Sequence, residues 1–397
     1  MTRTLPPLEL AGRMSGLGTE NAFEVLARAK RLEAEGRDII HLEIGEPDFP
    51  TPSVAVEAGV DALRAGWTHY SPAAGLHEVR EAVAAHVAST RGVDCSAEEV
   101  VMVPGAKPVM FYAMLALIQE GDEVVVPDPG YPIYESMVRF SGAHPVSCPL
   151  RSENGFAPEP DELLSLVGPA TRMVVLNSPG NPTGAVLPPE SLDAIVEGLQ
   201  DHPRVWLLSD EIYWRLIFDD ARHASPLSNP AIRERTILLD GWSKAYAMTG
   251  WRLGFGVMRP DLAEQVARLM INSISCTPSF VQLAGVAALE GDQSPVEEMR
   301  ERFDRRRKRI VELLDAIPGV SCPLPQGAFY VFPDVSSFGR PCAEIAEKAL
   351  MEGGVACLAG TSFGLSGEGF LRFSYAASLK DIEEGIARFR KTLEGMH

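Results

Sequence analysis

The chain has 397 residues, which is longer than a single hydrophobic core usually serves, so we expect two packed domains. Hydrophobic residues make up 46% of it and charged residues 23%, a balance typical of globular proteins, which excludes long disordered stretches. The 36 basic and 54 acidic residues give a formal net charge of -18, so the molecule should repel polyanions, and we expect no nucleic-acid partner.

The sequence predicts no membrane span and no metal or redox motif. The first residues, MTRTLPPLEL, lack the long apolar region of a secretion signal, and no later run approaches the ~18 apolar residues that span a bilayer. The six cysteines are far apart and form no CxxC pair, so we interpret them as reduced structural thiols. We therefore expect a cytoplasmic protein.

An N-terminal arm at residues 1–20 precedes the first predicted helix. Apolar residues recur at helical spacing over 22–32, and Gly36 follows as a stop signal. From about residue 100 onward, short apolar runs alternate with helical stretches, which is typical of βα units. The runs predict parallel strands, buried on both faces, at 100–103, 123–126, 173–176, 205–208 and 237–239.

The segments that follow these strands are where function is expected. They read PGAKP, PDPGYP, NSPGNPTG, SDEIY and DGWSK. Ligands of open α/β sheets bind beyond the carboxyl ends of the strands, so these segments should meet around one site. Four of the five contain polar groups that a purely structural turn would not need.

The βα rhythm fades towards the C-terminus, where we expect a second domain. It should contain a long charged helix, strands at 329–332 and 371–375, and a closing amphipathic helix. The resulting division is a large domain at 46–288 and a small domain formed by 21–45 and 289–397.

The long charged helix carries the densest basic run of the sequence, at 305–308. We interpret this run as a solvated helix face rather than a binding site. An apolar stripe on the same helix should face the core; it consists of Met299, Phe303, Ile310 and Leu314.

One segment, DGWSKAYAMTGWRLG, places Ser243 and Lys244 shortly before Arg252. A nucleophilic lysine must lose its proton near neutrality, which a desolvated site beside another cation favours, and arginine also binds phosphate. A Ser-Lys pair alone is more often a surface feature, but the whole segment resembles the lysine signature of class I aminotransferases. These are fold-type I α/β enzymes that use pyridoxal 5'-phosphate (PLP). The resemblance implies that Lys244 bonds to PLP and that Ser243 and Arg252 bind its phosphate.

The SDEIY segment is similar to the family's motif that holds the pyridine ring. A carboxylate near the ring nitrogen keeps that nitrogen protonated, which lets the ring accept electrons. The resemblance assigns this role to Asp210, and it implies that Tyr213 and Asn181 donate to the ring's phenolic oxygen. Lys244, Asp210 and Tyr213 are therefore the expected catalytic residues.

Two further segments resemble cofactor-binding parts of the family. In PGAKP, the backbone N–H groups of Gly105, Ala106 and Lys107 would open a helix aimed at the phosphate. In PDPGYP, Tyr131 matches the aromatic residue that stacks on the cofactor ring, although a core aromatic is an equal alternative on the sequence alone.

The remaining matches concern the substrate and a second subunit. Arg372 resembles the arginine that clamps the substrate α-carboxylate, with Gly45 and Asn181 beside it. Tyr70 matches a tyrosine that reaches the phosphate of the neighbouring subunit, which implies a homodimer with shared active sites. One departure is visible: Gly241 stands where some relatives carry a further phosphate-binding hydroxyl.

The resemblance runs from about Arg13 to the end and implies ping-pong transamination between an L-amino acid and a 2-oxo acid. A PLP-dependent lyase, synthase or oxidase is the alternative, because such enzymes share the cofactor residues. An effector-binding module would need a DNA-reading domain, and a dinucleotide-binding dehydrogenase would need GxGxxG after a strand; neither is found.

The sequence leaves the substrate side chain open. We expect its pocket near Leu17 and Gly18, near the residues after Pro104, and near neighbouring-subunit loops around Trp67. No second arginine that would demand a dicarboxylate can be assigned. Aspartate, alanine, aromatic amino acids and methionine all remain possible donors, with 2-oxoglutarate or pyruvate as the acceptor.

Overall fold

The fold was obtained as a computed structural model, which describes residues 8–396. Residues 1–7 of the predicted arm lie outside this range. Within it the α-helices are α1 Asn21–Ala34, α2 Ser53–Arg64, α3 His77–Arg91, α4 Lys107–Leu117, α5 Ile133–Phe140, α6 Pro160–Ser165, α7 Pro189–Leu199, α8 Pro260–Ile271, α9 Ser279–Glu290, α10 Ser294–Asp315, α11 Cys342–Met351 and α12 Leu379–Glu394. The strands are β1 Ile40–His41, β2 Val100–Val103, β3 Glu123–Asp128, β4 His144–Pro149, β5 Thr171–Asn177, β6 Trp206–Asp210, β7 Thr236–Gly241, β8 Gly254–Val257, β9 Tyr330–Val331, β10 Val355–Ala356, β11 Leu358–Ala359 and β12 Leu371–Ser374.

A seven-stranded sheet forms the centre of the molecule, in the order β2-β8-β7-β6-β5-β3-β4. Five neighbouring strands of this sheet are parallel to one another: β7, β6, β5, β3 and β4. Strand β8 runs antiparallel to both of its neighbours, β7 and β2. The central strands β5, β6 and β7 are buried along almost their whole length because helices cover both faces. The predicted α/β class with a mostly parallel sheet is confirmed.

All five predicted strands are present, but the direction of the first was wrong. Residues Val100–Val103 form β2, which pairs antiparallel with β8. A run that is buried on both faces reads the same in either direction, so its composition does not reveal the orientation. The predicted helix over 22–32 is also confirmed, as α1.

Smaller sheets lie outside the central one. Strands β1 and β10 pair in parallel, and β11, β12 and β9 form an antiparallel sheet. Helices α10, α11 and α12 pack with these strands.

Among residues 8–396, no helix combines the length and apolar character that a membrane crossing requires. All six cysteines are free thiols.

The basic run on α10 is not wholly a solvated face. The predicted apolar stripe of this helix is buried, as expected, but Arg307 is buried with it. Arg307 lies four residues after Phe303 and three before Ile310, so it projects from the same side of the helix. Its guanidinium bonds to the Pro325 carbonyl at 2.7 Å, and it pairs with carboxylates of Asp304 and Asp219. The prediction was therefore wrong for Arg307.

Candidate active site

A cavity of about 520 Å³ opens beyond the carboxyl ends of the parallel strands. Asn177 ends β5, Asp210 ends β6, and Lys244 follows β7; all three line the cavity. Tyr330 and Arg372, from the antiparallel sheet, close the other side. The volume is within the range of small-molecule sites, and the position is the one expected for open α/β sheets.

Lys244 presents a partly buried amine to this cavity. Its Nζ donates a hydrogen bond of 2.6 Å to the Gly45 carbonyl and lies 5.9 Å from the centre of the Tyr213 ring. Burial lowers the pKa of Lys244 to about 8, although the carboxylates of Glu46 and Glu20 act in the opposite direction. A minor fraction of the amines is therefore neutral and nucleophilic near physiological pH, but a far larger fraction than for an exposed lysine.

Asp210 lies on the buried floor of the cavity. Its Oδ2 accepts a hydrogen bond of 2.6 Å from the Tyr134 hydroxyl, and its Oδ1 accepts one of 3.2 Å from the Ile212 N–H. Burial raises the pKa of Asp210 to about 6, while these hydrogen bonds oppose the rise. A cationic partner in the cavity would stabilise the charged carboxylate.

Tyr213 lies beside Lys244 and is held by a second tyrosine. The hydroxyls of Tyr213 and Tyr330 are 2.9 Å apart, and both side chains are buried. A Cβ at Gly45 would lie 1.8 Å from the Tyr330 hydroxyl oxygen, so only glycine allows this close approach. Gly45, Tyr330 and Tyr213 thus form one continuous wall.

Arg372 is buried next to this wall, beside Tyr330. Its Nη1 donates to the Asn181 Oδ1 at 2.9 Å, and its Nη2 donates to the Glu43 carbonyl. The guanidinium lies between the rings of Tyr330 and Phe363, at 4.4 Å and 4.8 Å from their centres. Within residues 8–396, its buried Nε has no hydrogen-bond partner. This orphaned donor suits an anionic ligand.

A cluster of hydrogen-bond donors forms one end of the cavity. Gly105 has φ +80°, and the eleven-residue helix α4 begins two residues later at Lys107, with Ala106 as its N-cap. A Cβ at Gly105 would lie 2.0 Å from Nη2 of Arg252, so the guanidinium packs directly on this glycine. Ser243 also lines the cavity. A helix N-terminus, a guanidinium and a hydroxyl together suit a phosphate.

Tyr131 also lines the cavity. Its ring meets the Tyr134 ring edge-on, with centres 5.5 Å apart. Its hydroxyl donates to Glu20, which also accepts a hydrogen bond from the Lys107 ammonium. Glu20 was not predicted from the sequence, because a lone glutamate before a helix carries no motif.

The predicted positions Tyr70, Trp67, Leu17 and Gly18 do not line the cavity in this chain. Tyr70 has 89% of its surface exposed and lies outside the cavity wall, as does Trp67. The N-terminal stretch expected around Leu17 and Gly18 does reach the cavity, but through the residues that follow these two, 20–23. The Gly18 N–H itself donates to Ser136 on α5 at 2.9 Å.

The residues present fit PLP. The cavity combines a reactive lysine, a buried carboxylate that a cation would stabilise, tyrosine hydroxyls and a phosphate-binding end. Gly105 adds no side chain to this end, so the Arg252 guanidinium packs directly on the backbone there, which suits a cradle for a phosphate. Tyr134 and Tyr330 complete the site. Tyr134 follows the PDPGYP segment and Tyr330 lies in the predicted strand at 329–332, but neither position carries a functional signal in the sequence.

Comparisons with known proteins identify the family. The chain matches the model of the family described as aminotransferase class I and II over residues 37–389. It is 42% identical to an aspartate aminotransferase of Pyrococcus horikoshii over 94% of each chain. It is 39% identical to a probable aspartate/prephenate aminotransferase of Aquifex aeolicus, over 97% of this chain and 98% of the relative.

The fold comparison agrees with the sequence comparison. The structure of aspartate aminotransferase from Thermus thermophilus with maleate superposes with a TM-score of 0.93 at 35% identity, covering 97% of this chain and 100% of that one. The resemblance seen in the sequence is therefore confirmed. The chain belongs to the class I and II aminotransferases, and it is a fold-type I enzyme that catalyses PLP-dependent transamination.

Proposed function

We propose that the cavity transfers amino groups between an L-amino acid and a 2-oxo acid in a ping-pong reaction, with Lys244 as the proton-transferring group. The observation that carries the proposal is the Lys244 amine, which faces the cavity and has its pKa lowered to about 8 by burial. PLP, when bound there, supplies the sink for the electrons left on the substrate Cα. Lys244 would hold PLP through its Nζ, and its free amine would move the proton from the substrate Cα, acting first as base and then as acid.

Asp210, Tyr213, Asn181 and Tyr131 are proposed to hold the ring. The Asp210 carboxylate would face the ring nitrogen, because a positive charge there offsets the burial that raises the pKa of Asp210. Tyr213 and Asn181 would donate to the phenolic oxygen. Tyr131 would stack on the ring, where its contact with Tyr134 fixes its orientation.

The phosphate is proposed to bind the backbone N–H groups of Gly105, Ala106 and Lys107, together with Ser243 and Arg252. The packing around Gly241 supports the loss of one contact that some relatives have. A Cβ at Gly241 would lie 2.8 Å from the Gly254 Cα, so this position has no room for a hydroxyl side chain without a backbone shift.

Arg372, with Asn181 and the backbone of Gly45, is proposed to bind the substrate α-carboxylate. The unpartnered Nε of Arg372 supports this role, since a buried N–H without an acceptor is costly unless a ligand supplies one. Asn181 keeps the guanidinium in place through Nη1.

We propose that the enzyme is a homodimer in which Tyr70 reaches the partner's phosphate. Exposed apolar side chains in the chain segment before Tyr70 support this arrangement, because exposed apolar surface often marks a protein–protein interface; they are Val56, Val60, Leu63 and Trp67. The free thiols support a cytoplasmic location.

The division into a large domain at 46–288 and a small domain at 21–45 and 289–397 is also proposed. Its support is that the strands of the seven-stranded sheet all fall inside the first range, whereas the strands of the smaller sheets fall in the other two.

The donor is proposed to be an amino acid of the group that includes aspartate, alanine, aromatic amino acids and methionine. Relatives named for aspartate and for aspartate/prephenate support a substrate in this range. By family analogy, 2-oxoglutarate or pyruvate would accept the amino group.

A panel of these donors, followed by the cofactor spectrum, tests the proposal. Without an acceptor, a good donor should convert PLP to pyridoxamine phosphate, and a 2-oxo acid should restore PLP. Lys244→Ala should abolish both half-reactions, whereas the control Lys308→Ala, at an exposed position of α10, should retain them. Turnover by purified Lys244→Ala, or release of a 2-oxo acid without pyridoxamine phosphate, would contradict it.

A further inference from the structure

Two charged side chains of the cavity have no task in the proposed function. Asp210, Lys244, Arg252 and Arg372 hold the cofactor and the α-carboxylate. Glu46 is exposed, and its carboxylate accepts a hydrogen bond from the Thr249 hydroxyl. Glu20 and Lys107 remain, and both line the cavity.

Glu20 and Lys107 form an ion pair at the cavity wall. Oε1 of Glu20 accepts hydrogen bonds from the Lys107 ammonium and from the Tyr131 hydroxyl. The Glu20 side chain is 18% exposed, against 45% for Lys107, so the carboxylate is the better shielded partner.

The backbone on both sides of Glu20 is anchored to the rest of the protein. Two residues before it, the Gly18 N–H donates to Ser136 at 2.9 Å. One residue after it, the Asn21 side chain donates to Ser362 at 2.9 Å. Glu20 is therefore held against Lys107 and Tyr131 by the fold, and does not depend on the ion pair alone.

We propose that Glu20 determines substrate specificity by neutralising Lys107, so that the enzyme prefers neutral amino donors to aspartate and glutamate. The inference rests on the proposed function, which assigns the other positively charged side chains of the cavity wall to the cofactor or to the α-carboxylate. Among the described residues, Lys107 is the one such side chain without an assignment. A second substrate carboxylate would find this cation already paired and would meet the negative charge of Glu20. The neighbouring wall is apolar, with Ala22, Phe23 and Leu358.

The proposed preference differs from the donor for which the relative from Pyrococcus horikoshii is named. A neutral side chain loses nothing to the Glu20–Lys107 pair, because the pair is satisfied internally. An acidic side chain must displace Glu20 from Lys107, which leaves a shielded carboxylate with only the Tyr131 hydroxyl. The preference for neutral over acidic donors then arises from the repulsion of the acidic side chain as much as from the attraction of the neutral one.

The decisive experiment compares aspartate with asparagine, its neutral isostere, in the PLP-loaded enzyme. Glu20→Gln keeps the size of the side chain and an oxygen that accepts from Tyr131, but it removes the charge and releases Lys107. The ratio of kcat/KM for aspartate to that for asparagine should rise about tenfold, the order expected when one like-charge contact is removed. The value for asparagine itself should change little.

Matched variants separate this effect from a general change in charge. Glu24→Gln removes one negative charge from the first turn of α1, where Glu24 is exposed, outside the cavity wall and bonded to Thr19 at 2.7 Å. It should leave the ratio unchanged. Adding Lys107→Gln to Glu20→Gln should abolish the gain, because the released cation is then absent.

A binding measurement gives a readout that does not depend on turnover. Calorimetric titration with succinate and with its monoamide should show tighter succinate binding to Glu20→Gln than to the wild type, again by about tenfold. An unchanged ratio in both measurements, or an equal gain in Glu24→Gln, would overturn the inference. Failure of the proposed function would be seen separately, as a wild-type enzyme in which none of the donors tested converts PLP to pyridoxamine phosphate.

Discussion

The Tyr134 hydroxyl donates a hydrogen bond of 2.6 Å to the carboxylate of Asp210. Both side chains are buried at the floor of the cavity. Burial raises the pKa of Asp210 to about 6, and the bond from Tyr134 opposes that rise. Tyr134 thus helps to keep Asp210 charged, which is the state that a protonated ring nitrogen requires.

We expect Tyr134→Phe to weaken the enzyme most at acidic pH. A hydrogen bond to a charged carboxylate lowers its pKa, so its loss should raise the pKa of Asp210 further. The acid limb of the pH profile of kcat/KM should move to higher pH, with a several-fold loss near pH 6. Tyr112→Phe, which removes a hydroxyl bonded to Ser273 at 2.7 Å, is the control and should leave the limb in place. An unmoved limb in Tyr134→Phe would contradict the account.

The rate at which cofactor-free protein captures PLP should rise with pH, with a midpoint near the Lys244 pKa of about 8. Burial disfavours the charged amine, and the neutral amine is the nucleophile. The unfolded chain keeps this proton up to roughly pH 10.4. The contribution of Lys244 to folding stability should therefore increase between these two values. Stopped-flow absorbance gives the midpoint, and a value near 10 would show that the amine is not desolvated.

Gly105→Ala should weaken PLP binding as well as folding. The new Cβ would lie 2.0 Å from Nη2 of Arg252 and displace the guanidinium from the phosphate end. Gly92→Ala is a matched control, because Gly92 also has a positive φ, +64°, but has nothing within 4 Å of the new Cβ. Both variants should lose about 1 kcal/mol of folding stability from backbone strain. Only Gly105→Ala should raise the Kd for PLP, and equal effects on Kd would contradict the assignment.

A buried charge cluster behind the site should be essential for stability. Arg91 pairs with Glu211 at 3.1 Å and with Asp240 at 2.7 Å, and all three side chains are almost fully buried. Arg91→Met would leave two buried carboxylates without this partner and should cost roughly 3–5 kcal/mol of unfolding free energy. Urea unfolding of the cofactor-free protein measures this loss. Arg64→Met, which removes an exposed pair with Asp61, should stay within about 0.5 kcal/mol.

The central sheet was largely predictable because its inner strands are nearly continuous apolar runs between turn signals. The two missed strands show the limit of that pattern. Strand β4, His144–Pro149, lies at the sheet edge and mixes polar residues with prolines, and β8, Gly254–Val257, is half glycine. Both derive their stability from neighbouring strands rather than from their own composition.

The residues proposed to hold the cofactor could be named from the sequence because they stand at fixed places in motifs after the strands. Glu20, Tyr134 and Tyr330 were not, because their contacts join segments that are distant in the sequence. The Glu20–Lys107 contact, for example, spans 87 residues. Arg307 was misjudged for a related reason: its burial depends on Asp219 and Pro325, which no local pattern connects to α10.

Borohydride reduction of the PLP-loaded enzyme, followed by peptide mass spectrometry, tests the central claim most directly. Reduction makes the bond between PLP and its lysine permanent, so the label marks the residue that carries the cofactor. We expect the pyridoxyl group on Lys244 alone, with no label in Lys244→Ala. A label on Lys107 or on any other lysine of the wild-type enzyme would contradict the account.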